Sequence, residues 1–128
     1  MAAYNPTQEQ IDALVHLWLM GQRYSSSEKA AANLLLGLYN GLRFPFDLTD
    51  LRLFDDSNLR RALLVLEMDA RPKAEVHVLL AHALGEERGT MGLRFEYRAL
   101  DLRLKRAAKK ADLAPRPAPM RSLEEGLS

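Results

Sequence analysis

The chain has 128 residues, 48% of them hydrophobic and 27% charged, with a net charge of +1 and no cysteine. That size and balance describe one globular domain with a real core and exclude wholesale disorder. The missing cysteines remove disulfides, thiolate nucleophiles and cysteine-ligated metals together. No apolar run reaches the ~18 residues of a membrane span, and the N-terminus lacks the basic start of a secretion signal, so a cytoplasmic location without membrane association is expected. Charge is uneven: Lys and Arg number four against seven acids up to Asp56, and fourteen against ten after it. An anionic partner for the second half is compatible with that asymmetry.

Asn5-Pro6-Thr7-Gln8 reads as a helix start, with Asn5 as N-cap and Pro6 at the first helical position. Ile11, Leu14, Val15 and Trp18 follow at the spacing of one buried face, and Leu17, Leu19 and Met20 call for cover on a second side. Ser25 and Glu28 have capping-box spacing and open a second helix. Ala31, Leu34, Leu35 and Leu38 form its core stripe, and Asn40-Gly41 predicts a left-handed stop. Phe44-Pro45-Phe46 must be extended, with both rings turned to the core.

Asp47 is placed to cap a short helical turn through Leu53, and Asp55, Asp56 or Ser57 to cap the next helix. There Leu59, Leu63, Leu66 and Ala70 are assigned to the core side, so aspartate at Leu35 or Leu63 should abolish folding. Pro72 suits the first turn of another helix, which carries Val76, Leu79, Leu80 and Ala83 and stops at Gly85. Glycines 85, 89 and 92 then predict a loop.

Residues 93–112 carry two periodicities. Leu93, Phe95 and Tyr97, then Leu100, Leu102 and Leu104, alternate as in a strand. Leu93, Tyr97, Leu100, Leu104, Ala107 and Ala111 also repeat as a helical seam, which the Leu, Arg, Lys, Ala and Glu content favours. Pro115, Pro117 and Pro119 break any pattern, so a helical domain over 1–113 and a flexible proline-rich tail over 114–128 are expected, the tail being dispensable for folding. The fold class is therefore all-α, a compact bundle of five to six helices.

No constellation for catalysis, cofactor binding or metal binding emerges. His77 and His82 lie on different sides of a helix, Gly85 separates His82 from Glu86, and His16 is remote. Asp47, Asp50, Asp55 and Asp56 lack the order of a calcium loop and are accounted for as helix caps. The segment from Gly85 to Gly92 lacks the spacing and the lysine of a phosphate loop. Ser25, Ser26, Ser27 and Ser57 sit at helix starts, and no Gly-x-Ser-x-Gly exists.

The feature that points outward is basic. Arg94, Arg98, Arg103, Lys105, Arg106, Lys109 and Lys110 oppose only Glu96 and Asp101. On one amphipathic helix such residues form a solvated helix end that complements the dipole, or contact an acidic protein face or nucleic-acid phosphates. Residues 48–70 also have the outline of a helix-turn-helix bearing Arg60 and Arg61, although four aspartates surround the face that would meet DNA.

Phe46-Asp47-Leu48-Thr49-Asp50-Leu51, between the leucine-rich helix ending near Leu38 and the helix from Leu59, resembles a family of small uncharacterised domains encoded on bacterial integrative elements, plasmids and prophages. The resemblance covers about residues 25–84 and brings no catalytic residues. It implies accessory work for a mobile element, such as conjugation support, regulation or inhibition of host defence of the anti-CRISPR kind. The expected function is a non-enzymatic protein-binding module. The alternative is a nucleic-acid-binding regulator using the 94–110 helix or the 48–70 pair.

Overall fold

A computed structural model describes residues 5–120. Five α-helices run through it: α1 Gln8–Met20, α2 Ser26–Tyr39, α3 Asp56–Ala70, α4 Val76–Leu84 and α5 Arg88–Asp101. Short 3-10 segments lie at Leu48–Leu53 and Lys110–Asp112, and no strand occurs among the described residues. The all-α bundle is the observed class, and the alternating pattern after Leu93 is helical up to Asp101.

Helix α1 packs most extensively on α3 and also meets α2 and α4, while α4 packs on α5. Leu14, Leu17, Leu35, Leu36, Val65, Met68, Leu80, Met91 and Phe95 fill the core. Phe95 stacks between two rings, Trp18 at 4.6 Å and Tyr39 at 4.9 Å between centroids, joining α1, α2 and α5. Offset stacking of this kind adds to the area each ring buries.

The helix starts show how local chemistry sets the frame. Thr7, not Asn5, caps α1: its hydroxyl accepts from Gln10 N, and the Gln10 side chain accepts from Thr7 N at 2.9 Å. Gln10 Oε1 thereby finds a partner in the Thr7 amide, which permits the side chain to be buried. Ser25 and Glu28 close the corresponding box on α2. Asp47 caps the first 3-10 segment and Asp55 caps α3, which accounts for two of the four clustered acids.

Helix ends depart more from the pattern expected. Asn40 ends α2 with an extended backbone (φ −157), so the stop there is not left-handed. Gly85, at φ 69, is the left-handed stop of α4. Pro72 lies four residues ahead of α4, whose N-cap is Glu75. Gly89 and Gly92 fall inside α5, because α5 begins three residues after Gly85 rather than beyond a glycine loop.

Two further expectations are corrected. In α3 the buried residues are Ala62, Val65 and Met68, while Leu63 is 49% exposed and Ala70 is exposed. The helix packs mainly on α1 through the face of Ala62, Val65 and Met68, whereas Leu59, Leu63, Leu66 and Ala70 had pointed to a neighbouring face. Helix α5 also stops at Asp101, far short of Lys110. Arg103 N donates to Leu100 O and Leu104 N donates to Ala99 O, with Arg103 at φ 56. These two bonds form a Schellman closure with arginine at the position usually held by glycine.

After that closure the chain folds back along α5. Tyr97 Oη donates to Ala114 O at 2.6 Å, Arg116 pairs with Asp101 at 2.6 Å, and Arg94 donates to Ala118 O at 2.7 Å. The Arg116 guanidinium also lies over the Tyr97 ring. Residues 121–128, the rest of the proline-rich tail, lie outside the described residues.

Candidate functional site

The seven basic residues do not share a helix face. Arg98 is 3% exposed, and its guanidinium reaches the end of α1, donating to Gly21 O and Arg23 O while covering the Tyr24 ring. A cation at a helix C-terminus satisfies carbonyls that have no partner within the helix and opposes the negative end of its dipole. Gly21 is needed at this corner, since a Cβ there would meet Ala32 N at 3.0 Å. Arg94 is engaged as well, holding Glu86 at 2.7 Å besides Ala118 O. Both arginines therefore serve internal contacts, and the expectation that they face a partner as part of one helix is corrected.

The other five sit beyond α5. Arg103, Lys105, Arg106, Lys109 and Lys110 are all exposed, on a segment without α-helical structure. Its position is set by a carboxylate in α5. Glu96 accepts both terminal nitrogens of Arg43 at 2.8 Å and the hydroxyl of Tyr39 at 2.5 Å. Arg43 also donates to Arg106 O at 3.1 Å, and Arg106 Nη1 donates to Leu42 O at 3.1 Å. The loop after α2 and the segment after α5 are thus bound side by side. The Arg43 hydrogen bonds hold the Glu96 carboxyl below the usual carboxylate range, with Tyr39 adding to them. Burial, followed by the bond to Glu96, drives the Tyr39 phenol well above its ordinary value.

What this network leaves outside is an apolar and basic ledge. Leu42 is 86% exposed and Leu48 72% exposed. Phe44 is buried and Phe46 partly so, which anchors the extended Phe-Pro-Phe turn between them. A small cleft of about 210 Å³ lies between that turn and Leu104–Lys105, with Asp47 on its rim. Sequence reasoning missed Leu42 because a single leucine beside Asn40-Gly41 carries no periodic signal. Arg43 and Glu96 were missed because they are fifty-three residues apart.

No group of three or more His, Asp or Glu side chains is arranged to hold a metal among the described residues. His77 packs edge-on to Tyr39 at 5.2 Å, and its Nδ1 is buried without a hydrogen-bond partner. His16 and His82 line a separate groove between α1 and α4. Burial, then the nearby Arg61, lowers the pKa of His16. The 48–70 segment is a 3-10 turn followed by α3, so it lacks the first helix of a helix-turn-helix.

Residues 11–88 match a family of unknown function, DUF7673. The chain belongs to that family. The match takes in α1 from Ile11 onward, which the resemblance around Phe46–Leu51 left out, and ends at the first residue of α5. Leu42 and Leu48 lie within the matched region, whereas Glu96 and the basic segment lie beyond it. No curated protein and no solved structure matches the chain. No helix among the described residues is long and apolar enough to cross a membrane.

Proposed function

We propose that this DUF7673 protein is a non-enzymatic protein-binding module that acts by covering a partner's surface with the ledge around Leu42. The observation that carries this reading is an 86% exposed leucine on a loop fixed by hydrogen bonds to Arg43 and Arg106. Exposed apolar side chains held rigidly lose little entropy on binding, so they serve as contact anchors. Arg106, bonded to Leu42 O, and Lys105, beside the Phe44–Phe46 cleft, put positive charge next to that apolar centre, which selects an acidic partner face and steers its approach. The resemblance around Phe46–Leu51 adds the setting: an accessory protein of a bacterial mobile element, or an inhibitor of host defence of the anti-CRISPR kind.

The test compares the full chain with a Leu42→Asp/Lys105→Glu/Lys109→Glu variant as baits in a bacterial lysate, with and without nuclease. A protein retained by the natural chain after nuclease, and lost by the variant, supports the reading. The competing reading is a nucleic-acid-binding regulator using the same cations. It requires a submicromolar complex with duplex DNA or RNA that weakens steeply with salt, since each phosphate contact contributes ~0.7–0.9 to the log–log slope. Such a complex would overturn the protein-binding proposal.

A further inference from the structure

Where the chain runs back along α5 it lays one of its own segments on the helix, and the sequence dictates that segment's shape. Pro115, Pro117 and Pro119 each fix a backbone torsion, and each keeps the residue before it, Ala114, Arg116 or Ala118, extended. Such a chain is a polyproline-type ribbon with three residues per turn, ordered before it binds anything. Pro117 and Met120, one turn apart, are partly buried, while Ala114, Pro115, Arg116, Ala118 and Pro119 are exposed.

The side chains beneath meet this ribbon as a recognition groove would. Proline has no N–H, so the ribbon offers mainly carbonyls, and two of them find donors on α5. Tyr97 Oη donates to Ala114 O at 2.6 Å, and Arg94 Nη2 donates to Ala118 O at 2.7 Å. Between them Arg116 makes two hydrogen bonds to the Asp101 carboxylate, at 2.6 and 3.0 Å, and lies 4.5 Å from the centroid of the Tyr97 ring. A fork on a carboxylate fixes direction as well as charge. Arg94 is itself held by Glu86 at 2.7 Å, so this donor is set independently of the ribbon. An aromatic floor, donors aimed at carbonyls and a carboxylate for an arginine together suit extended proline-rich peptides.

The ribbon leaves part of the site unfilled. A cleft of about 140 Å³ remains between Trp18, Leu19 and Tyr97 on one side and Pro117, Pro119 and Met120 on the other. The Arg116–Asp101 pair is open to solvent, so it holds the ribbon only weakly. None of these residues belongs to the ledge around Leu42.

We propose that the face of α1 and α5 beneath residues 114–120 is a receptor for extended proline-rich segments with an arginine between two prolines. The chain's own segment fills it in cis, and a partner protein presenting such a segment competes for it.

The probe is a synthetic peptide with blocked ends, Ala-Pro-Arg-Pro-Ala-Pro-Met, titrated into the isotope-labelled full chain and into its Arg116→Glu variant. Charge reversal at this exposed position should release the segment, moving the amides of Ala118 and Met120. The peptide should then shift the signals of Arg94, Tyr97, Asp101 and the Trp18 indole to saturation. The natural chain should need ~10-fold more peptide, because a tethered segment competes at an effective concentration in the millimolar range. At saturation its Ala118 and Met120 amides should reach their positions in the variant. Amides of Ala118 and Met120 that stay in place in the variant would overturn the proposal. So would a peptide that saturates neither chain, or one that binds as well with glutamate in place of its arginine. Exchange of segments between copies when the natural chain alone is concentrated would assign the trans occupant to a second copy and overturn the partner.

Discussion

Arg43 and Arg106 clasp two segments together: Arg43 donates to the carbonyl of Arg106, and Arg106 donates to the carbonyl of Leu42, the residue before Arg43. Sixty-three residues separate the first pair. Glu96 sets this clasp by fixing the guanidinium of Arg43 from the other side, and the exposed leucine is a consequence of where the clasp closes.

Acid should loosen the clasp. The pKa of Glu96 is lowered in the folded state, so the folded protein binds its proton less readily than the unfolded chain does. Its contribution is complete above the unfolded value of ~4.3 and is lost as pH falls through the folded value. In urea titrations, Glu96→Gln should lower stability near neutrality and flatten the decline on the acid side. A variant with the same acid profile as the natural chain would refute this role.

Arg98→Ala should be among the most damaging polar substitutions. Two charge-assisted bonds to the end of α1 disappear, each contributing ~1.5–3 kcal/mol, and Gly21 O is left without this partner. Against a total stability of ~5–15 kcal/mol the loss would be plain in a denaturation midpoint. A change below ~1 kcal/mol would show that water replaces the guanidinium.

Leu35→Asp and Leu63→Asp should now separate. Leu35 is 1% exposed, and an unpaired carboxylate there should abolish cooperative folding. Leu63 is half exposed, so its aspartate variant should fold and lose at most ~1 kcal/mol. Thermal melts of the two variants side by side give the answer.

Arg103→Gly should stabilise the protein by ~0.5–1 kcal/mol. A left-handed conformation strains a residue bearing Cβ by ~1–2 kcal/mol, part of which glycine's extra freedom in the unfolded chain cancels. A lowered urea midpoint would mean that the arginine side chain contributes more than its backbone costs.

Ending the chain after Leu113 should lower stability by ~1–2 kcal/mol, through loss of the Arg116–Asp101 pair and the cover over Tyr97. For a domain of this size that is several degrees or more in Tm. The sequence alone led to the expectation that the tail is dispensable for folding, because prolines without apolar periodicity offer no visible packing. The contacts that argue otherwise are made by a carbonyl of Ala114, a carbonyl of Ala118 and one arginine.

Local chemistry was legible in the sequence. The Ser25–Glu28 box, the caps at Asp47 and Asp55, the stop at Gly85 and the core stripe of Ala31, Leu34 and Leu35 are interactions within about four residues, written in residue type and spacing. The all-α class followed from the same signals. Tertiary structure decided what spacing leaves open. Which face of α3 turned inward depended on its packing against α1, and the leucines of α3 were numerous enough to fit more than one face. The end of α5 was set by two backbone bonds around Arg103, a residue that does not announce a left-handed turn. The basic run read as one surface because charge is visible in sequence, whereas burial of Arg98 and capture of Arg94 are decided by carbonyls and a carboxylate brought from elsewhere in the chain. Long-range polar pairs such as Arg43 with Glu96 leave no periodic trace, since each partner alone looks like any solvated charge.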